Sequence, residues 1–278
     1  MPRVPTAEIV SRAASHGGGA ASFNIILIEQ AEAIASGAEQ AGVPVILQIS
    51  ENCVRYHGGL VPLSAAAHAI AEAARVPVAV QLDHATSVDL VEQGVAAGFS
   101  SVMFDASALP YADNVETSAA VVRRCHDAGV WVEAELGEIG GKDGVHSPRA
   151  RTDPGEAAAY VAATGVDALA VAVGTSHAMV TRDAALDFGL IARLRDIVPV
   201  PLVLHGSSGV ADADLQRAVA MGITKVNIAT RLNKVFTAAV RSELSTDNEV
   251  VDLRRYLTRA RAAVALEAER LLRVIALT

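Results

Sequence analysis

The chain has 278 residues, 51% of them apolar and 19% charged, enough to build a large buried core without disulfide or metal staples. Its 31 acidic against 23 basic side chains give a net charge of −8, which repels a polyphosphate backbone and sets nucleic-acid binding aside. Cys53 and Cys125 form no spaced framework, the first twenty residues carry no apolar signal-type run, and no stretch approaches the roughly 20 apolar residues of a membrane span, so a soluble, cytoplasmic protein is expected.

Along the chain, short runs rich in Val, Ile and Leu recur. They are ASFNI at 21–25, VPVILQIS at 43–50, VPVAVQLDH at 76–84, SSVMFD at 100–105, VWVEAEL at 130–136, ALAVAVGTSH at 168–177, VPLVLHG at 200–206 and TKVNIA at 224–229. Near-continuous apolar runs of this length suit the strands of a parallel sheet covered on both faces. Segments with helical spacing lie between them, at 30–41, 62–74, 87–97, 114–128, 155–164, 188–197 and 213–221. Most close on a Gly followed by an apolar residue, which fits the left-handed residue just past a helix end. Eight such units predict an α/β fold, a (β/α)₈ TIM barrel, as a single domain over 1–278. No G-x-G-x-x-G follows the first run, which disfavours the open doubly wound alternative. Two segments break the rhythm: the long Gly-rich, charged stretch at 137–154, and the tail at 242–278, which reads as a C-terminal helical extension.

In such a barrel the chemistry belongs at the C-terminal ends of the strands. Those ends carry Asn24, Gln48, Ser50, Asp83, His84, Asp105, Glu133, Glu135, His177, the HGSSG turn at 205–209, and the NIAT turn at 227–230. Three imidazoles from three strands, His84, His177 and His205, with carboxylates beside them, match the three protein ligands and open position of a catalytic zinc. Glu133 and Glu135 are two apart and share a strand face, so a nearby cation is needed to hold both ionised. That cation is either a metal or Lys225, which shares its own strand face with Asn227. Asp83, next to a ligand candidate, serves either to orient it or to exchange a proton. The two Gly/Ser/Thr turns offer hydroxyls and backbone N–H groups to a phosphate.

Taken together, LDHA at 82–85, SVMFDAS at 101–107, LPYADN at 109–114, VEAELGEIGG at 132–141, AVAVGTSH at 170–177, LVLHGSSG at 202–209 and KVNIAT at 225–230 resemble the class II, metal-dependent ketose-bisphosphate aldolases, in order and over nearly the whole chain. The likeness is greatest to the shorter fructose/tagatose-bisphosphate branch. It implies a zinc-dependent lyase that cleaves a ketose 1,6-bisphosphate to dihydroxyacetone phosphate and glyceraldehyde 3-phosphate, acting in carbohydrate metabolism such as glycolysis as a homodimer or homotetramer.

By position, the resemblance makes His84, His177 and His205 the zinc ligands, with Glu135 binding or approaching the ion, and Asp83 the residue that exchanges a proton with the C4 oxygen. Asn24, Ser50 and Asn227 become substrate contacts, and Gly206, Ser208 and Thr230 the phosphate cradle, with a monovalent cation, Na⁺ or K⁺, beside it. Arg254 would reach the far phosphate across a subunit boundary. The chain departs from the family pattern at Asp143, where the proton-abstracting loop residue is usually Glu, and at Ala178, Ala229 and Leu253. Two other readings stay open: a Schiff-base lyase using Lys225, and a non-catalytic homologue that binds metal or sugar phosphate. An aldolase of the same fold on another phosphorylated ketose is a third.

Overall fold

The computed structural model describes residues 2–136, 150–176, 179 and 181–278. Eight parallel strands close into a barrel in sequential order: β1 (Ala20–Asn24), β2 (Val45–Ser50), β3 (Val78–Ala85), β4 (Ser101–Phe104), β5 (Trp131–Glu135), β6 (Ala168–Ala170), β7 (Leu202–Leu204) and β8 (Ile223–Ile228). β8 closes on β1 with Val226 opposite Ala21 and Asn227 opposite Ser22. The outer layer holds α2 (Ile28–Ala41), α4 (Val61–Ala73), α5 (Val88–Ala96), α6 (Tyr111–Asp127), α7 (Pro154–Thr164), α8 (Phe188–Ile197) and α9 (Asp212–Met221). These are the seven helical segments read from the sequence, each within three residues of its expected bounds. The apolar strand runs are buried because helices cover the outside of the barrel while side chains fill its inside.

Three elements lie outside the sequence-level expectation. α1 (Thr6–Ser15) closes the bottom of the barrel, burying Ile9 and Val10 against Ala20, Ile46 and Ala79. The segment before it is tied to β3, where Val78 N donates to Pro2 O at 2.7 Å. α3 (Glu51–His57) starts directly at the end of β2, capped by the Ser50 hydroxyl. The C-terminal helices are α10 (Thr230–Thr246) and α11 (Leu253–Ala276), so Ser242 falls inside a helix that begins at the end of β8. The run at 168–177 forms a strand only as far as Ala170; Gly174, at φ 114°, then turns the chain toward the barrel mouth. Of the long 137–154 stretch, residues 150–154 are described, and α7 starts there under a cap from the Asp153 carboxylate. Among the described residues no helix is long and apolar enough to cross a membrane.

α11 packs along α2, and the approach is close enough to require a missing side chain. A Cβ on Gly37 would lie 2.5 Å from the Ala265 carbonyl oxygen. Its buried stripe of Ala260, Val264, Ala268, Leu271, Leu272 and Ile275 repeats every three or four residues, the spacing of one helix face. At its other edge, α11 joins an alternating chain of charges. Arg182 pairs with Asp212, Asp212 with Arg270, Arg270 with Glu267 at 2.8 Å, and Glu267 with Arg231 at 2.6 Å. Arg182 also donates through Nε to the Val210 carbonyl at 2.9 Å.

Partial burial works against the charge on both acids, but the flanking guanidiniums outweigh it and hold the carboxyls of Asp212 and Glu267 below their ordinary values of 3.8 and 4.5. Because the folded values are depressed, the chain of charges stabilises the fold at neutral pH, and this contribution is lost as pH falls through the ordinary carboxylate range and below it. Asp212→Asn with Glu267→Gln should therefore lower Tm at about pH 7 and cost progressively less toward about pH 3, read as the Tm difference from wild type across a pH series.

Candidate active site

The mouth of the barrel is shaped by one irregularity in β3. The pairing of β3 with β4 shifts register between Leu82 and Ala85, and His84 sits in the left-handed region at φ 48°. On a regular strand, adjacent residues point to opposite faces, so Asp83 and His84 could not share a site. The bulge lets both face the mouth. Such a conformation costs a non-glycine residue about 1–3 kcal/mol and persists only where its surroundings hold it. His84 Nδ1 meets Asp105 Oδ2 at 2.9 Å, and Asp105 Oδ1 accepts from the Ser107 hydroxyl at 2.6 Å and its amide at 3.2 Å.

Across the mouth, His205 follows β7 and is completely buried. Its Nε2 lies 2.9 Å from Glu133 Oε1 and its Nδ1 3.3 Å from Glu135 Oε2, while the rings of His84 and His205 meet edge to face at 4.8 Å between centroids. Burial disfavours charge on His205, but the two glutamates outweigh it and raise the imidazole to about 9. Burial likewise opposes the charge on Glu133, yet Lys225 and His205 hold its carboxyl down to about 2.

His84, Glu135 and His205 place one ligand atom each within 4.8 Å of one another, a group that could hold a metal ion. With His84 Nδ1 engaged by Asp105 and His205 Nε2 by Glu133, the opposite ring nitrogens are the ones each histidine offers. That is the carboxylate–histidine–metal pattern of zinc sites. Two imidazoles and a carboxylate, each held from behind, fit a borderline divalent ion. His177 and Asp143 lie outside the described residues, as does Ala178.

Beneath this group runs a polar network inside the barrel. Lys225 Nζ, fully buried, donates to Glu133 Oε2 and to Asn227 Oδ1, both at 2.7 Å. Gln81 Nε2 donates to Glu133 Oε2 at 3.2 Å, and Gln48 Nε2 lies 3.2 Å from Gln81 Oε1 and 3.4 Å from Asp83 Oδ1. Asn24 Nδ2 donates to Asp83 Oδ2 at 2.7 Å, and the Ser22 hydroxyl donates to Asn227 Oδ1. Asn24, Asp83 and Asn227 therefore belong to one connected set with His205. Of its members, Ser22, Gln48 and Gln81 have no role predicted from the sequence. The signal for them was present: Ser22/Asn24, Gln48/Ser50, Gln81/Asp83, Glu133/Glu135 and Lys225/Asn227 are polar pairs two apart on otherwise apolar strands.

The turn after β7 meets the start of α10. Gly206 has φ 66°, and a Cβ there would lie 2.5 Å from the Ser176 carbonyl oxygen, so glycine is required on two counts. Ser207 donates through its hydroxyl to the Asn227 carbonyl, and Ser208 Oγ accepts from the Arg231 amide at 3.1 Å. Gly206, Ser208, Asn227 and Thr230 are thus gathered around the N-terminus of α10, whose helix dipole favours an anion. Ser50 stands opposite Asp83 in the strand register, with its hydroxyl accepting from Cys53 N at 3.2 Å. Arg254 is not joined to this group; it is exposed in the first turn of α11 and pairs with Asp252 at 2.8 Å.

Removing Lys225 would leave Glu133 buried beside the site without its cation. Lys225→Met should destabilise the fold by about 3–5 kcal/mol in urea unfolding, and adding Glu133→Gln should recover part of that loss.

Residues 4–277 match the family model described as fructose-bisphosphate aldolase class-II. The crystal structure of the YdjI aldolase from Escherichia coli K12 superposes with a TM-score of 0.85 at 31% identity, covering 98% of this chain and 97% of that one. A putative fructose-1,6-biphosphate aldolase from Coccidioides immitis gives 0.87 at 25% identity, covering 98% and 96%. The fructose-bisphosphate aldolase of Campylobacter jejuni shares the fold, with a TM-score of 0.83 at 21% identity over 98% and 95%. With a family-model match over residues 4–277 and a closed eight-stranded parallel barrel, the chain belongs to the class II fructose-bisphosphate aldolase family, the metal-dependent aldehyde-lyases built on a TIM barrel.

Proposed function

We propose that the chain is a zinc-dependent aldolase that reversibly cleaves fructose or tagatose 1,6-bisphosphate to dihydroxyacetone phosphate and glyceraldehyde 3-phosphate. The observation that carries this reading is the convergence of His84, Glu135 and His205 beside Asp83, at the mouth that also gathers Gly206, Ser208 and Thr230. His84, His205 and Glu135 would hold the ion, with His177 as a further ligand. When bound, zinc would act as a Lewis acid on the ketone carbonyl.

The remaining chemistry belongs to the protein. Gly206, Ser208 and Thr230 bind the phosphate of the dihydroxyacetone half, with Na⁺ or K⁺ beside it, and Asn24, Ser50 and Asn227 orient the chain of hydroxyls. In cleavage, Asp83 takes the proton of the C4 hydroxyl as the C3–C4 bond breaks and the electron pair moves toward the C2 carbonyl. Asp143 then protonates C3; condensation runs the same transfers backward. Asn24 and Gln48 keep Asp83 aimed at the mouth. In a cytoplasmic homodimer or homotetramer, Arg254 would serve a neighbouring subunit's site. The exposure of Val251, Leu253 and Leu266, at 89%, 59% and 64%, supports such an assembly.

Side-by-side assays with the two bisphosphates, with chelator and with zinc added back, test the reading. Cleavage abolished by chelator and restored by zinc is expected, and the rate ratio identifies the epimer. No cleavage of either sugar by the zinc-loaded protein would overturn it. Asp83→Asn should retain zinc while kcat falls by about 10²–10⁴-fold, whereas His84→Ala should lose zinc and activity together. A Schiff base on Lys225 is disfavoured by its burial and its pairing with Glu133; borohydride with substrate should give no covalent adduct.

A further inference from the structure

Behind the end of β5 lies a polar cluster that takes no part in the chemistry above. Asn114 sits in the first turn of α6, Ser118 one turn later, and Tyr160 faces them from α7; none of the three is more than 1% exposed. Asn114 Nδ2 donates to the main-chain carbonyls of Glu135, at 3.2 Å, and Leu136, at 3.3 Å. Its Oδ1 accepts from the Tyr160 hydroxyl at 2.7 Å and from the Ser118 hydroxyl at 3.0 Å. The two ends of the amide have different neighbours, and their chemistry fixes which end faces which. Carbonyls need the NH₂ group, and the hydroxyl protons need the oxygen.

The place of this cluster in the sheet gives it its consequence. The ladder between β4 and β5 ends at Phe104 opposite Ala134, whereas Glu135 still pairs with Ala170 of β6. On the β4 side, the last residue of β5 has therefore run out of strand. Asn114, carried on the helix that follows β4, supplies hydrogen bonds on to Glu135 and Leu136. The carboxylate at this strand end lies, through Oε2, 3.3 Å from His205 Nδ1.

We infer that Asn114, aimed by Tyr160 and Ser118, is a positioning residue. By holding the Glu135 and Leu136 carbonyls it fixes the end of β5, and with it the Glu135 carboxylate toward a divalent ion shared with His84 and His205. The inference rests on the metal reading given under Proposed function. A role confined to satisfying buried polar groups would affect only stability. A positioning role also sets how well the ligand group is organised before the ion arrives, and outer partners of metal ligands typically matter by about 10–100-fold in affinity or activity.

The test measures zinc affinity of the full-length chain without substrate, by competition with a chromophoric chelator, for wild type, Asn114→Leu and Tyr160→Phe. Asn114→Leu keeps the side-chain bulk and removes the donors; Tyr160→Phe keeps the ring in the core and removes only the hydroxyl that aims the amide. Zinc affinity should fall about 10–100-fold in Asn114→Leu and by a smaller factor in Tyr160→Phe. At saturating zinc, kcat should fall while KM for the bisphosphate stays near wild type. Wild-type zinc affinity and kcat in the variants, with only Tm lowered, would overturn the inference. Should Asn114→Leu fail to fold, an unchanged zinc affinity in Tyr160→Phe overturns it by itself. A wild-type chain that binds no zinc overturns the metal reading and this inference with it, whereas a wild type that binds zinc no better than the variants overturns this inference alone.

Discussion

The site rests on the buried ion pair between Lys225 and Glu133. Lys225 and Glu133 are both completely buried inside the barrel, from strands β8 and β5, and each would be costly there without the other. Their pairing also leaves spare hydrogen-bonding capacity that the neighbours use. The second oxygen of Glu133 holds His205, the remaining donors of Lys225 hold Asn227, and Gln81 carries the connection toward Gln48 and Asp83. A ligand candidate, a substrate-contact candidate and an acid/base candidate are thereby fixed relative to one another from below. Side chains that pack by shape alone could not impose hydrogen-bond direction in this way.

The upper rim is held differently. His84 reaches the mouth because the backbone of β3 accepts an unfavourable conformation, and Asp105 and the Ser107 turn hold the imidazole once it is there. The turn after β7 needs Gly206, since the chain passes too close to Ser176 for any side chain. Strain at His84 and close approach at Gly206 occur on opposite sides of the same opening. Both are places where the regular barrel gives way so that reacting groups can converge.

Much of this could be read from the chain itself, for identifiable reasons. The eight strands were visible because burial on both faces leaves continuous apolar runs, and the seven outer helices because they are amphipathic and several end on glycine. α1 was not visible, as half of residues 6–15 are exposed and only Thr6, Ile9 and Val10 are buried. The strand-end histidines could be seen once the barrel was assumed, but the partner of Glu133 could not. Whether Lys225 or a metal neutralised it depends on barrel register, and the structure gives Glu133 to Lys225 and leaves Glu135 facing His205. The bulge at His84 left no mark either, because LDHA reads like any strand ending. Asn114 lies within LPYADN at 109–114, yet nothing in an Asn near a helix start distinguishes a surface cap from a buried bracket.

The seating of α11 on α2 bears on how the molecule is made. α2 leaves the ribosome well before α11, and the face of α2 around Gly37 stays uncovered until residues 253–276 have been synthesised. β1 likewise waits for β8 before its open edge is paired. The segment carrying β1 and α2 must therefore persist through translation with an apolar helix face and a strand edge exposed, a state prone to aggregation and suited to chaperone capture. Barrel closure and helix docking are long-range events, so both wait on β8 and α11.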